Sequence, residues 1–165
     1  MPNGKRVVVL NTTPIIALAL IGKLDLLQQL YGQVLIPPAV RDEILSGGPK
    51  GSGVAELQKS NWIRTTLLTD PSRADLISDL DRGEAEVIAL AKELNASLVI
   101  IDEHLGRQHA KRLGLKLTGT IGVLLEAKRK GLVPVVKPLL EQLVRGGIRL
   151  SDALVMEALR LAGEG

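Results

Sequence analysis

Three acidic residues of this sequence stand beside apolar segments and have the right chemistry for a metal site. Glu43 lies about one turn into the segment that follows Pro37-Pro38, and Glu84 opens a strongly apolar helical segment. Asp102 directly follows the apolar run Leu98 to Ile101. Hard cations such as Mg²⁺ or Mn²⁺ prefer oxygen ligands. Carboxylates that converge without a cation repel one another, so a metal ion would relieve that cost if folding brought these three residues together.

Polar residues after the first apolar segment could complete the site. Asn11 and Thr12 directly follow the run Arg6 to Leu10. In an open parallel sheet, the ligand crevice lies outside the carboxyl ends of the strands, near the point where the strand order reverses. If the first and fourth strands are neighbours, Asn11, Thr12 and Asp102 are therefore expected at one crevice.

Each acid also has an ordinary structural explanation. Glu84 would interact favourably with the dipole of its helix, and Glu43 would be a solvated helix residue. Asp102 would cap the helix that follows it. Glu103 and Arg107, four residues apart, would form a surface ion pair. The spacing alone leaves these alternatives open.

The elements that position these residues follow from the alternation of short apolar runs with amphipathic segments. This alternation predicts an α/β fold, a doubly wound sheet with helices on both faces. Strands are predicted at Arg6 to Leu10, Val34 to Ile36, Leu98 to Ile101 and Leu115 to Leu117, with a weaker candidate at Trp62 to Leu68. Helices are predicted as a pair split near Gly22 within Pro14 to Leu30, then from Pro38, and at Val54 to Lys59, Glu84 to Leu94, Glu103 to Leu113, Ile121 to Lys130, Val135 to Arg145 and Ser151 to Ala162.

Length and composition narrow the class of protein. A chain of 165 residues is the size of one domain, here taken as residues 1–165. It has no Phe, one Trp and one Tyr, so its core must be aliphatic and it lacks the stacking platform of dedicated single-strand binders. Without cysteine, disulfides, thiolate zinc sites and cysteine nucleophiles are excluded. No signal peptide or spanning segment is evident, which predicts a cytoplasmic protein.

Basic residues suggest a surface for nucleic acid. The net charge is +3, which is compatible with RNA binding but does not establish it. Arg107 and Lys111 share a helix face and could guide an RNA backbone, or they could be ordinary surface residues. Lys128 to Lys130 is better explained by solubility and the helix dipole. His104 and His109 are five apart, which is not the spacing of a zincin metal pair, and Gly48 to Gly53 is a loop without a phosphate-binding signature.

Four segments, in order along the chain, resemble the motifs of PIN domains. They are Val7 to Leu18, Ile36 to Ile44, Asp81 to Ala91 and Leu98 to Glu103. The segments Gly119 to Leu125 and Leu159 to Glu164 are similar to an uncharacterised prokaryotic PIN-like subfamily, so the resemblance covers nearly the whole chain. The best-known relatives are the toxin ribonucleases of bacterial toxin–antitoxin pairs.

This resemblance implies a three-layer fold around a parallel sheet of about five strands, and a site for one or two Mg²⁺ or Mn²⁺ ions. It implies metal-assisted attack of water on an RNA phosphodiester. Asp102 and Glu43 would be metal ligands, and Glu84 would complete the ring. Thr12 would hydrogen-bond the first-motif side chain, a metal-bound water or the phosphate, and Thr120 is a weaker candidate at the rim.

One departure from the family pattern lies at Asn11, where active PIN nucleases carry Asp. An amide oxygen can bind a metal ion, but it adds no negative charge and cannot act as a base. The alternative hypothesis is therefore a weakened PIN domain that binds RNA or a protein partner without cutting. The apolar face of the last predicted helix favours a homodimer or the capture of an antitoxin peptide. A phosphoacceptor receiver domain would need paired acids after the first strand, which this sequence lacks.

Overall fold

Five short parallel strands form the centre of the molecule in the computed structural model, which describes residues 6–47, 51 and 53–165. Their bounds are β1 Val8–Leu10, β2 Val34–Ile36, β3 Ile63–Thr65, β4 Leu98–Ile100 and β5 Leu117–Thr118. The strand order is β3-β2-β1-β4-β5, and all neighbouring pairs are parallel. The predicted three-layer α/β fold is confirmed.

Helices surround this sheet and connect its strands. Their bounds are α1 Thr12–Leu20, α2 Asp25–Tyr31, α3 Pro38–Leu45, α4 Val54–Lys59, α5 Ser72–Asp75, α6 Arg82–Leu94, α7 His104–Arg112, α8 Thr120–Arg129, α9 Lys137–Arg145 and α10 Asp152–Leu161. In the described part of the chain no single helix is long and apolar enough to span a membrane, although α1 and α2, bent by 118°, together reach that length and composition.

The core is aliphatic, as the composition predicts. The largest fully buried side chains are all leucine or isoleucine. In β1, Val8, Val9 and Leu10 are completely buried, as expected for a central parallel strand covered on both faces. Tyr31 and Trp62 lie partly buried against the core.

The buried acid Glu86 ties α3 to α6. Its carboxylate accepts a hydrogen bond of 3.0 Å from the backbone nitrogen of Ala39 and an ion-pair contact of 2.8 Å from Arg82 Nε. Ala39 lies in the first turn of α3, where the backbone N–H groups have no partner within the helix. Glu86 therefore fixes the start of the helix that carries Glu43.

The structure shortens several predicted elements, such as the strand predicted at Trp62 to Leu68, which is Ile63–Thr65, and it begins the first helix at Thr12 instead of Pro14. The fifth strand begins at Leu117, not Leu115, because the Leu115 nitrogen donates to Ala110 oxygen (2.9 Å) and closes the end of α7. The short helix α5 was not predicted, since only Ala74 of its residues is buried and its sequence has no apolar period. Most of the loop Gly48 to Gly53 lies outside the described residues.

Candidate active site

The carboxyl ends of β1 and β4 lie side by side at the point where the strand order reverses. Leu10 pairs with Ile100 in the sheet, and the backbone nitrogen of Asn11 donates to Ile100 oxygen at 3.0 Å. The sequence analysis expected Asn11, Thr12 and Asp102 at one crevice if the first and fourth strands were neighbours. The structure meets this condition, because β1 and β4 are paired and the residues that follow them start from adjacent positions. Asn11 follows β1 directly, and Asp102 follows β4 after one intervening residue, Ile101.

A first cluster joins α1, α3 and the start of α6. Thr12 is 4% exposed, and its hydroxyl donates a hydrogen bond of 2.8 Å to Glu43 Oε1. A methyl group added to Gly83 would lie 2.9 Å from Glu43 Oε1 and 3.8 Å from Asn11 Oδ1. The absence of a side chain at Gly83 therefore gives the Glu43 carboxylate the space that it occupies beside Asn11.

The side-chain oxygen of Asn11 stands out in this cluster. Asn11 is 5% exposed, and its Oδ1 is buried without a hydrogen-bond partner among the described residues. A buried carbonyl oxygen without a partner typically costs about 1–3 kcal/mol. Such an atom beside a carboxylate is suited to a cation or a donor group of a ligand.

A second cluster holds Asp102. The backbone nitrogen of Thr120 donates to Asp102 Oδ1 at 2.8 Å, and the Thr120 hydroxyl donates to Asp102 Oδ2 at 2.6 Å. Gly119 again leaves space, because an added methyl group would clash with Asp102 Oδ1. Thr120 is 4% exposed and bonded to the acid itself, so it is an inner residue of the site and not a rim residue.

Asp102 does not cap the helix that follows it. Glu103 takes that position, and its carboxylate accepts from the backbone nitrogen of Gly106 at 2.8 Å. Arg107 does not form the expected ion pair with Glu103 within the described chain; its guanidinium donates to Ile101 oxygen at 2.9 Å. Two structural explanations considered in the sequence analysis are therefore wrong: Asp102 is not the cap of α7, and Glu103 and Arg107 do not form a surface ion pair.

Glu84 lies in a third cluster, with Asp81 and Glu103. Asp81 caps α6 by accepting from the Glu84 backbone nitrogen at 2.9 Å. Burial, hydrogen bonds to the carboxylates of Asp81 and Glu103, and their charges raise the pKa of Glu84 to about 9. Burial alone would raise the pKa of Glu103, but bonds from the backbone amides of Gly106 and Leu105 and from Glu84 lower it. Glu84 therefore carries a proton at neutral pH.

The three acids predicted from the sequence thus have separate partners. Glu43 lies with Thr12 and Asn11, Asp102 with Thr120, and Glu84 with Glu103. Over the described ranges, no group of three Asp, Glu or His side chains is close enough to hold a metal ion jointly. The donors are nevertheless all carboxylate, amide and hydroxyl oxygens, which is the donor chemistry that Mg²⁺ and Mn²⁺ favour.

Sequence reasoning missed Asp81, Gly83 and Gly119. Asp81 could have been found, since an Asp three residues before Glu84 is a helix N-cap signal. The two glycines carry no local signal, because only the approach of carboxylates from distant segments shows why a side chain is excluded there.

The basic residues proposed for RNA contact lie along α7. Arg107 is half-buried beside Asp102, and Lys111 is exposed one turn further on. His109 Nε2 lies 3.0 Å from both carboxylate oxygens of Asp79, and His104 is exposed. Lys128 is not a free surface residue, since its ammonium group donates to Glu164 at 2.8 Å.

Comparison with known families agrees with this geometry. The family model DUF3368, described as a PIN domain, matches residues 7–164. No curated protein matches the chain. The PIN fold is a nuclease-type fold, and PIN domains generally depend on divalent metal ions. With nearly its whole length matched, and with its polar residues gathered at the ends of β1 and β4, the chain belongs to the PIN-domain family.

Proposed function

We propose that this protein is a metal-dependent ribonuclease that cleaves RNA phosphodiester bonds. The observation that carries the proposal is the unpartnered Asn11 Oδ1, buried beside Glu43 at the strand ends that also lead to Asp102. An oxygen-rich crevice at this position of a nuclease-type fold suits a divalent cation and a phosphate group.

The residues of the chain would divide the work as follows. Glu43 and Asp102 supply negative charge and hold the cation, and Asn11 adds a neutral amide oxygen. Thr12 and Thr120 fix the directions of the two carboxylates through their hydrogen bonds. A bound Mg²⁺ or Mn²⁺ would supply an activated water and stabilise charge on the phosphate.

Glu84 differs from Glu43 and Asp102 in its protonation. Because its pKa is raised to about 9, it is neutral at pH 7 next to Asp81 and Glu103. A carboxylic acid in this state donates a hydrogen bond more readily than it binds a cation. Glu84 is therefore proposed as the third metal-site residue only when its proton is displaced.

A second candidate function follows from Asn11. The amide removes one unit of negative charge from the crevice, and a single charge at metal-ligand distance carries several kcal/mol at an effective dielectric near 20. A PIN domain weakened in this way would bind RNA or a protein partner without cutting. The same oxygen cluster supports either function, and the amount of cleavage distinguishes them.

Partners are also proposed. If the protein is the toxin of a toxin–antitoxin pair, its partner is an antitoxin protein. A homodimer is supported by Met156, which is 70% exposed on α10 and lines an apolar groove with Val144 and Val155. An exposed apolar groove is typical of a surface that another chain covers.

The test of activity uses the purified chain, Mn²⁺ and labelled RNA. We expect cleavage that requires the metal and falls about 100-fold or more in Asp102→Asn. Asp25→Asn, a change of the same kind at an exposed first-turn acid of α2, should leave the rate unchanged. Binding without cleavage by the wild-type chain would favour the second function, and metal-independent cleavage would count against the site.

A further inference from the structure

Glu86 is a buried acid that takes no direct part in the proposed reaction. It carries a carboxylate in the middle of α6, yet only 8% of its surface is exposed. One carboxylate oxygen accepts the N–H of Ala39 at 3.0 Å, and the other lies 2.8 Å from Arg82 Nε. Apolar side chains of similar volume are often as stabilising as a buried ion pair. Stability alone therefore does not explain an acid at this position.

The start of α3 depends on Glu86 for a hydrogen bond. Pro37 takes the N-cap position of this helix, and a proline side chain cannot accept a bond from the first turn. The N–H groups of Val40 and Arg41 donate to Pro37 oxygen at 3.1 and 3.3 Å. The N–H of Ala39 lies too early in the helix to find a partner there, and it donates to Glu86. Glu86 thus supplies, from another helix, the cap that Pro37 cannot provide.

The same two helices contact each other one turn away, at the metal site. Gly83 precedes Glu86 by one turn of α6, and Glu43 follows Ala39 by one turn of α3. Gly83 lies against Glu43, just as Glu86 lies against Ala39. The two contacts are neighbouring steps of one helix interface. A bond at the first step therefore restrains any sliding of α3 along α6 at the second.

The spacing at Gly83 controls how closely several oxygen ligands approach. A methyl group added to Gly83 would lie 2.9 Å from Glu43 Oε1, 3.7 Å from Asp81 Oδ1 and 3.8 Å from Asn11 Oδ1. These oxygens come from α3, from the cap of α6 and from the end of β1. Mg²⁺ requires ligand distances of about 2.1 Å in a regular octahedral arrangement. A small shift of α3 against α6 would therefore disturb the cation site through Glu43.

We propose that Glu86 is a positioning residue of the metal site, which acts by holding the start of α3 against α6 and so fixes Glu43 beside Asn11. The inference rests on the proposed function, since it takes Glu43 as a metal ligand. Glu86 itself does not touch the ion. Its hydrogen bond to Ala39 carries the effect, and Arg82 balances its charge.

Two conservative variants separate the hydrogen bond from the charge. Glu86→Asp keeps the negative charge, but its side chain is one methylene shorter and cannot reach the Ala39 N–H unless α3 moves toward α6. Glu86→Gln removes the charge, yet its amide oxygen can still accept from Ala39. The side chain of Arg82 is half-exposed, so it can turn to solvent in this variant.

Glu93→Asp is the matched control. Glu93 lies two turns further along α6, and its carboxylate accepts from the backbone N–H groups of Thr69 and Asp70 at 2.8 and 2.9 Å. It therefore makes the same kind of bond as Glu86, but to a segment that carries none of the proposed metal ligands. The two Asp variants lose the same length of side chain from the same helix.

The measurement is Mn²⁺ binding, so that it does not depend on cleavage. Mn²⁺ is titrated into the purified chain without RNA, and free Mn²⁺ is followed by its electron paramagnetic resonance signal well below the Tm of each variant. Glu86→Asp should weaken Mn²⁺ binding about tenfold, while Glu86→Gln and Glu93→Asp should change it less than about twofold. The Tm should fall in both Asp variants, so a loss of stability cannot account for a loss of affinity confined to Glu86→Asp.

Three results would overturn the positioning role. The first is an unchanged Mn²⁺ affinity in Glu86→Asp, and the second is an equal loss in Glu86→Asp and Glu93→Asp. The third is a larger loss in Glu86→Gln than in Glu86→Asp, because Glu86 would then act through its charge and not through its bond to Ala39.

Cleavage assays on the same variants separate this inference from the proposed function. The expected differences in Mn²⁺ affinity without cleavage of RNA would retain the positioning role and remove the nuclease activity. Cleavage by the wild-type chain, with the same rate and Mn²⁺ affinity in Glu86→Asp, would retain the nuclease and remove the positioning role. A wild-type chain that binds no Mn²⁺ would overturn both.

Discussion

Thr120 donates two hydrogen bonds to Asp102, one from its backbone nitrogen at 2.8 Å and one from its hydroxyl at 2.6 Å. Each oxygen of the carboxylate is bound by one of them. The first residue of α8 thus determines the orientation of an acid that follows β4, eighteen positions earlier in the chain. Hydrogen bonds to a charged acceptor are among the stronger ones in proteins, so the carboxylate has little freedom to rotate.

Thr120→Val tests this orientation. Valine has nearly the shape of threonine and keeps the backbone donor, but it removes the hydroxyl bond to Asp102 Oδ2. We expect the cleavage rate to fall about tenfold, because loosely held groups lose that much or more. Thr120→Ser should restore most of the rate, since it returns the hydroxyl. Equal rates for the valine and serine variants would contradict the assigned role.

Gly83→Ala tests the space next to Glu43. The new methyl group would lie 2.9 Å from Glu43 Oε1, so the carboxylate must shift from its present position. Cleavage should fall, while the free energy of unfolding should hold or rise, because alanine is favoured over glycine in a helix by about 1 kcal/mol. Rates and chemical denaturation are measured together. In a Glu43→Gln background the alanine should have little further effect on rate, and an additive loss would argue against this explanation.

Asn11→Asp tests the missing charge. An aspartate here would be buried beside Glu43, and without metal it should lower the free energy of unfolding by about 1–3 kcal/mol. Added Mn²⁺ should recover this loss and raise the Tm more in the variant than in the wild-type chain, since a ligand that binds only the folded state stabilises it. Cleavage should also rise. If the Tm of Asn11→Asp does not respond to Mn²⁺, the metal ion does not bind next to position 11.

Glu164 gives a prediction for acid pH. Its carboxylate accepts from Lys128 Nζ and from the backbone nitrogen of Val136, each at 2.8 Å, and from that of Lys137 at 3.0 Å. The bonds from Lys128 and Val136 lower the pKa of Glu164 to about 2, below its ordinary value of 4.5. Its contribution to stability is therefore complete above pH 4.5 and is lost as the pH falls toward 2.

The measurement is the free energy of unfolding between those two pH values. It should fall more steeply for the wild-type chain than for Glu164→Gln, which cannot titrate. Glu141→Gln, at an exposed position of α9, serves as the matched control and should follow the wild-type curve. Parallel curves for wild type and Glu164→Gln would mean that these bonds do not form in solution.

Met156→Asp tests the proposed homodimer. Met156 is 70% exposed on α10 and lines a groove of about 640 Å³ between α9 and α10, together with Val144 and Val155. If a second copy covers this groove, a carboxylate at position 156 should prevent association. Size-exclusion chromatography with light scattering should show a dimer for the wild-type chain and a monomer for the variant. A wild-type monomer throughout the micromolar range would remove the dimer.

The order and kind of the elements could be predicted because their causes are local. Continuous Val, Ile and Leu runs identify β1 and β4, and the proline pair at Pro37 and Pro38 leads into α3. The sequence analysis could only assume that β1 and β4 are neighbours, because local residue patterns do not show which strands pair. The structure supplies that adjacency, and with it the position of Asn11 beside the end of β4.

The partners within the site could not be predicted, because they depend on tertiary approach. Thr12 gave no sign that it would bind Glu43, thirty-one residues away, and Thr120 gave none that it would bind both oxygens of Asp102. The protonation of Glu84 is likewise a product of its surroundings, namely burial and two neighbouring carboxylates. The residue types therefore indicated a site of oxygen ligands. Only the three-dimensional contacts show that Glu43, Asp102 and Glu84 lie in three separate clusters with different partners.

The central position of β1 has a consequence for synthesis of the protein on the ribosome. β1 is made first, yet one of its two neighbours, β4, begins at Leu98, and the residue that orients Asp102 comes later still, at position 120. Contacts between such distant segments form only after both are present. A nascent chain that has emerged only as far as β3 thus has no finished crevice, because the contacts of Asp102 form only after Thr120 has left the exit tunnel.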